Sequence, residues 1–133
     1  MYYIYNPADS DTEGMGGAMK TQEQKTAEAQ ITEELVSLIS GESGEDVRWN
    51  GSTSDLLEIV RIAYMQSTVC NEDGRSCTFR ELVTAACAVT HVRMPHNIYA
   101  VAARAANRKG LRNASFLKRY MRCPALFRKY VVR

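Results

Sequence analysis

Between positions 21 and 40 the chain reads TQEQKTAEAQITEELVSLIS, and Ile31, Leu35, Leu38 and Ile39 recur at the spacing of one helix face. The Glu, Gln and Ala between them favour the same conformation, so a helix is expected here. GESGEDVRWNG breaks the period with Gly and Ser, which is loop chemistry. STSDLLEIVRIAYMQSTV then opens with Ser52 and Asp55 in the S-x-x-D pattern of a capping box. Leu56, Leu57, Ile59, Val60 and Ala63 cover enough of its circumference to predict a central, well-buried helix. CNEDGRSC predicts a turn with Asp73-Gly74 at its tip. Thr78 and Glu81 form a second capping box at the head of a helix whose face is Phe79, Leu82, Val83, Ala86 and Val89. RMPHN interrupts: Pro95 disfavours helix at Met94 and suits the first turn of the next one. NIYAVAARAANRK predicts a helix stopping at Gly110, and NASFLKRYMR one capped by Asn113 and ending before Pro124. ALFRKYVVR fits a short helix or an extended arm. With no convincing alternation of strand type, the expected fold is all-α, a four- to five-helix domain. Residues 1–19, with Pro, Gly and acids but no period, are expected to be a disordered leader, and residues 20–133 a single domain.

At 133 residues, 45% apolar and 24% charged, the composition is that of a globular domain. No apolar run approaches the ~18 residues of a membrane-spanning helix. MYYIY is too short for a signal-peptide core, so the four cysteines are expected to be reduced thiols in a cytoplasm. Charge is what separates the two halves. Residues 1–74 have four basic and fourteen acidic residues; residues 75–133 have thirteen basic residues and the lone acid Glu81. AARAANRKGLRNASFLKRYMR, 102–122, holds seven cations and no carboxylate. Either the halves neutralise each other within one fold, or a basic surface meets a polyanion.

Catalytic signatures are missing: no G-x-S-x-G, no phosphate-cradling Gly loop, no H-E-x-x-H, and Glu81 is spoken for by a capping box. A non-enzymatic protein without cofactor is expected. Cys87 and His91 stand i, i+4 on a predicted helix, and Cys70 and Cys77 flank the turn before it. Structural zinc takes tighter pairs than this C-x₆-C, and Cys87 lies among TAACAV, where a thiol packs as a small hydrophobe. No metal site is expected, and His96 reads as an exposed turn residue.

A helix, a turn at RMPHN and a second helix ending in clustered Arg and Lys follow the layout of a helix-turn-helix DNA reader. Tyr99, Arg104, Asn107 and Arg108 are the candidates for the major groove, since Arg pairs bidentately with guanine and Asn with adenine. Lys109, Arg112, Lys118 and Arg119 are the candidates for backbone phosphates. Double-stranded DNA is the expected partner, bound by a possible homodimer on an inverted repeat; no aromatic stacking platform favours single strands. The competing expectation is a protein-interaction module, which requires the acids from Glu23 to Glu58 to lie within ion-pair reach of Arg104 to Arg122.

The segments WNGSTSDLLEIVRIAYMQSTVCNEDG and TFRELVTAACAVTHVRMPHNIYAVAARAANRKGLRNASFLKRY carry a resemblance. W-x-G-S-x-x-D-L at Trp49 to Leu56, the helix start at Thr78-Phe79, the V-x-apolar-x-x-N-x-Y run at Val92 to Tyr99 and N-R-K … F-L at Asn107 to Leu117 resemble the C-terminal domain of RteC. Members of that family regulate mobilisation genes of conjugative elements in Bacteroides-type bacteria. The resemblance implies an all-helical DNA-binding domain acting in transcription, with Gly51, Ser52, Asp55 and Leu56 structural. It places DNA contacts at Tyr99, Asn107, Arg108 and Lys109. This chain departs from the family pattern at Ala100-Val101-Ala102, where the family has an aromatic and an Arg, and at Pro95 in the turn.

Overall fold

In the computed structural model, which describes residues 2–4, 21–41, 46–108 and 114–132, the regular elements alternate short strands with helices. In chain order they are β1 (Tyr3–Ile4), α1 (Gln22–Ile39), β2 (Arg48–Trp49), α2 (Thr53–Met65), β3 (Val69–Cys70), α3 (Phe79–Thr90), α4 (Ile98–Ala106), α5 (Phe116–Arg122), α6 (Leu126–Tyr130) and β4 (Val131–Val132). The fold is mostly helical, as its periodicity predicts. The strands form two antiparallel pairs, β1 with β3 and β2 with β4.

Helix α2 is the hub. Leu56, Leu57, Ile59, Val60 and Ala63 are fully buried, and α1, α3, α4 and α5 all pack on it. Burial of each of the larger side chains contributes about 1.5–3 kcal/mol. Its N-cap is Ser52, whose Oγ accepts from the Asp55 amide at 3.0 Å. Only half of the expected box forms, because the Asp55 carboxylate turns to two arginines instead. At α3 the box is complete: Thr78 Oγ1 accepts from Glu81 N at 3.1 Å and Thr78 N donates to Glu81 Oε1 at 2.7 Å. The turn at Asp73-Gly74 is also present, with Gly74 at φ +81 and Asn71 Oδ1 accepting from the amides of Asp73 and Arg75.

Four expectations change. Tyr2–Ile4 is no leader: Tyr3 pairs with Cys70 and Ile4 with Val69, because Tyr2 and Ile4 have the core to pack against. The rest of that segment lies outside the described residues, as do Gly110 and Asn113. Helix α4 ends at Ala106, ahead of the expected stop. Helix α5 is capped by Ser115, whose Oγ accepts from Lys118 N at 3.3 Å. ALFRKYVVR is both a helix and an arm, α6 followed by β4.

The α3–α4 pair exists, but residues 91–97 between them exceed the about 3–4-residue turn of a tight helix-turn-helix. The buried face of α4 is Ile98, Ala102 and Ala105, and its main packing partner is α2 rather than α3. Small side chains at 102 and 105 permit that close approach. Contacts between the α3 and α4 regions include the Phe79 and Tyr99 rings, 5.1 Å apart, and Thr84 Oγ1 with Met94 Sδ at 3.8 Å.

Candidate nucleic-acid interface

The expected contact residues divide into three groups. On α4, Ile98, Ala102 and Ala105 face inward, so the helical period turns Tyr99, Arg104 and Asn107 outward, and all three are exposed. Tyr99 is 59% exposed, with one ring face resting on Phe79, so it is partly a surface-packing residue. Lys118, on α5, is exposed, whereas Lys109 and Arg112 lie outside the described residues.

Arg108 and Arg119 form the third group, and the structure turns both toward carboxylates of α2. Arg108 Nη2 lies 2.6 Å from Asp55 Oδ1 and 3.4 Å from Glu58 Oε1, while its Nε donates to Ala105 O at 3.1 Å. Arg119 Nη2 lies 2.5 Å from the same Asp55 oxygen. Its Nε donates to Ala114 O at 3.1 Å, its Nη1 to the Tyr130 hydroxyl at 3.2 Å, and its guanidinium stands over the Phe116 ring. The two carboxylate side chains are only 6% and 2% exposed. A buried carboxylate demands a cation, and these two arginines answer that demand.

Glu58 does more than balance charge. Its Oε1 accepts from Phe116 N at 2.8 Å and its Oε2 from Leu117 N at 3.0 Å, so a side chain of α2 satisfies two orphan amides at the start of α5. Burial pushes the Glu58 carboxyl above its ordinary value despite the opposing pull of those amides and of Arg108. Burial lowers the Arg119 guanidinium, but the Asp55 and Tyr130 bonds more than reverse this and leave it raised.

What stays outward is a basic end. Lys118 and Arg122 are one turn apart on α5, and Arg128 and Lys129 follow on α6, which packs against α5; all four are exposed. Lys129 Nζ reaches Cys123 Sγ at 3.7 Å, which sets it beside the C-terminal end of α5. Lys118 and Arg122 also line a groove of about 590 Å³ whose other wall is Gln22, Glu23, Thr26 and Gln30 of α1. With Arg80, Arg93 and Arg104, seven exposed cations of the C-terminal half have no carboxylate partner within ion-pair distance among the described residues. Of the acids of α1, Glu34 accepts from the Tyr120 hydroxyl at 2.5 Å.

Two of the buried thiols are held toward the protonated form. Burial pushes Cys77 up to about 11, helped by Glu81 and Cys70, and burial raises Cys87 too. His91 caps α3 in the left-handed region and bonds Asp46 at 2.7 Å, away from the buried Cys87. Among the described residues no three His, Cys, Asp or Glu side chains gather as a metal site, and no helix is long and apolar enough to cross a membrane.

The competing expectation names the acids from Glu23 to Glu58 as partners of Arg104 to Arg122; Asp55 and Glu58 meet that condition with Arg108 and Arg119, although neither is singled out in the sequence, where Asp55 reads as a cap. Their spacing, one turn apart among Leu56, Leu57, Ile59 and Val60, points to burial, but not to which distant cations meet them. Searches with the chain return no matching family model, curated protein or solved structure.

Proposed function

We propose that the chain binds duplex DNA as a transcription-regulator-like protein of mobile genetic elements, holding phosphates chiefly through α5 and α6. The observation that carries this reading is the set of exposed cations without carboxylate partners among the described residues. Exposed ion pairs contribute only ~0–1 kcal/mol each, so internal stability is a weak reason for a chain to accumulate such a block. Lys118, Arg122, Arg128 and Lys129 would anchor the backbone. Arg104 and Asn107, on the outward face of α4, have the side chains that read guanine and adenine edges. The resemblance to the RteC family extends the reading to transcription. A single small domain offers few contacts, so a homodimer on an inverted repeat fits this mode.

A second reading has its own observation. Asp55 and Glu58 neutralise part of the basic run from within, as a protein-interaction module that has lost DNA contacts would. Fluorescence anisotropy on a labelled random duplex between about 50 and 200 mM salt separates the two. Four to five phosphate contacts predict a log–log slope of about −3.6 to −4.5. Failure to bind at the lowest salt overturns DNA binding and leaves the partner module.

A further inference from the structure

We infer that Asp55 is a charge lock, a positioning residue that withholds Arg108 and Arg119 from the phosphate-contacting set. The inference rests on the DNA-binding reading and narrows it to particular cations.

Both guanidiniums converge on one oxygen, Asp55 Oδ1, at 2.6 and 2.5 Å. That carboxylate is more than nine-tenths buried. Each nitrogen of Arg119 already has a partner: Asp55, the Tyr130 hydroxyl and the Ala114 carbonyl. Arg108 has two of its nitrogens engaged, one of them shared between Asp55 and Glu58. Arg119 cannot reach a phosphate without giving up one of these bonds, whether to Asp55, to Tyr130 of α6 or to the Ala114 carbonyl, and Arg108 is turned toward Asp55 and Glu58, which offset its charge. Lys118 and Arg122 are exposed and have no carboxylate partner within ion-pair distance among the described residues, so they can turn to a phosphate without leaving one. Position in the run therefore does not decide which cations meet DNA. Neighbours in the chain, Lys118 and Arg119, have opposite assignments because α5 turns one outward and the other toward α2.

Asp55 also sets how many charges the surface displays. With the Asp55 carboxylate replaced by an amide, Arg119 loses its one carboxylate partner among the described residues and becomes available to the duplex, while Arg108 keeps Glu58 at 3.4 Å, so the salt dependence steepens. Removing either arginine alone leaves Asp55 paired with the other, so the fold tolerates the single change better than loss of Asp55.

The test is the salt slope of duplex binding by the full chain and four single variants. Arg108→Gln and Arg119→Gln are expected to keep the wild-type slope. Lys118→Gln and Arg122→Gln are each expected to make it shallower by about 0.9, one phosphate's worth of released counterion. A slope about 0.9 shallower for Arg108→Gln, in a protein whose thermal melt is still cooperative, overturns the inference while leaving DNA binding intact. Absence of wild-type binding overturns the underlying reading instead. Asp55→Asn supplies a check of opposite sign, since its slope should steepen by about 0.9 for the one added contact, Arg119. An unchanged slope in a folded Asp55→Asn protein also counts against the lock.

Discussion

A Cβ added to Gly51 would lie 3.0 Å from the Tyr130 ring and 3.1 Å from the Trp49 indole, both parts of an aromatic stack that also includes Phe127. Gly51 is thus a place where two segments touch backbone to ring, and Gly51→Ala should cost about 1–3 kcal/mol through overpacking. A urea titration measures this; an unchanged midpoint would show that the rings simply step aside. Glu58 gives a prediction with a definite sign. Its folded-state carboxyl is raised, so between the unfolded value of about 4.3 and the folded one the native state holds the extra proton. The stability it contributes is fully present below about pH 4.3 and is lost as pH rises through the folded value. Stability of the wild type relative to Glu58→Gln should therefore decline with rising pH across that window, and urea midpoints at successive pH values will show it. A flat or rising difference would contradict the raised carboxyl. At this scale the sequence was legible where chemistry is local, as at Ser52, Thr78 and Gly74. It was opaque at Asp55 and Glu58, whose partners are 50 to 64 positions away.

Elements were easier to foresee than their ends. The periods of α1, α2 and α3 were readable because each has a continuous apolar face on a shared core. Helix α3 has in addition a reciprocal capping box, and Thr78→Ala should remove about 1 kcal/mol, within the about 0.5–2 kcal/mol range for caps. A thermal melt checks this, and Thr78→Ser, which keeps the hydroxyl, should recover most of the loss. Helices α4 and α5 were misjudged at their boundaries, since Asn113 lies outside the described residues and Ser115 is the observed cap. The strands escaped notice for a different reason. Each is two residues long, too short to show any alternation, and each depends on a partner distant in the chain.

Across the described residues, the pairs Arg75–Asp73 and His91–Asp46 lie at the surface, while the buried meeting of the two halves' opposite charges is at the start of α2. The composition foresaw the opposition but not its location, because net charge says nothing about which face each residue takes. The same corner gathers the C-terminal elements: α5 is held through Glu58, α6 through its rings on Trp49, and β4 through Trp49 paired with Val131. Deleting residues 126–132 would strip Phe127 and Tyr130 from the indole. Losing one such aromatic costs about 3–5 kcal/mol, against a domain stability of about 5–15 kcal/mol. The shortened chain should lose its cooperative melt by circular dichroism, and retention of a sharp transition would show that α1 to α5 stand alone. The pairing of Arg48 with Val132 and Trp49 with Val131 has one more consequence, in time rather than energy. Most contacts of a helical domain close within a few turns of chain, which is why such domains fold in microseconds to milliseconds. Here the last stitch joins positions more than eighty residues apart, after a long search through open conformations. Helix α5 closes on α1 across a similar separation, Tyr120 to Glu34, so the fluorescence of the Trp49 indole should report a late, long-range closure of the fold.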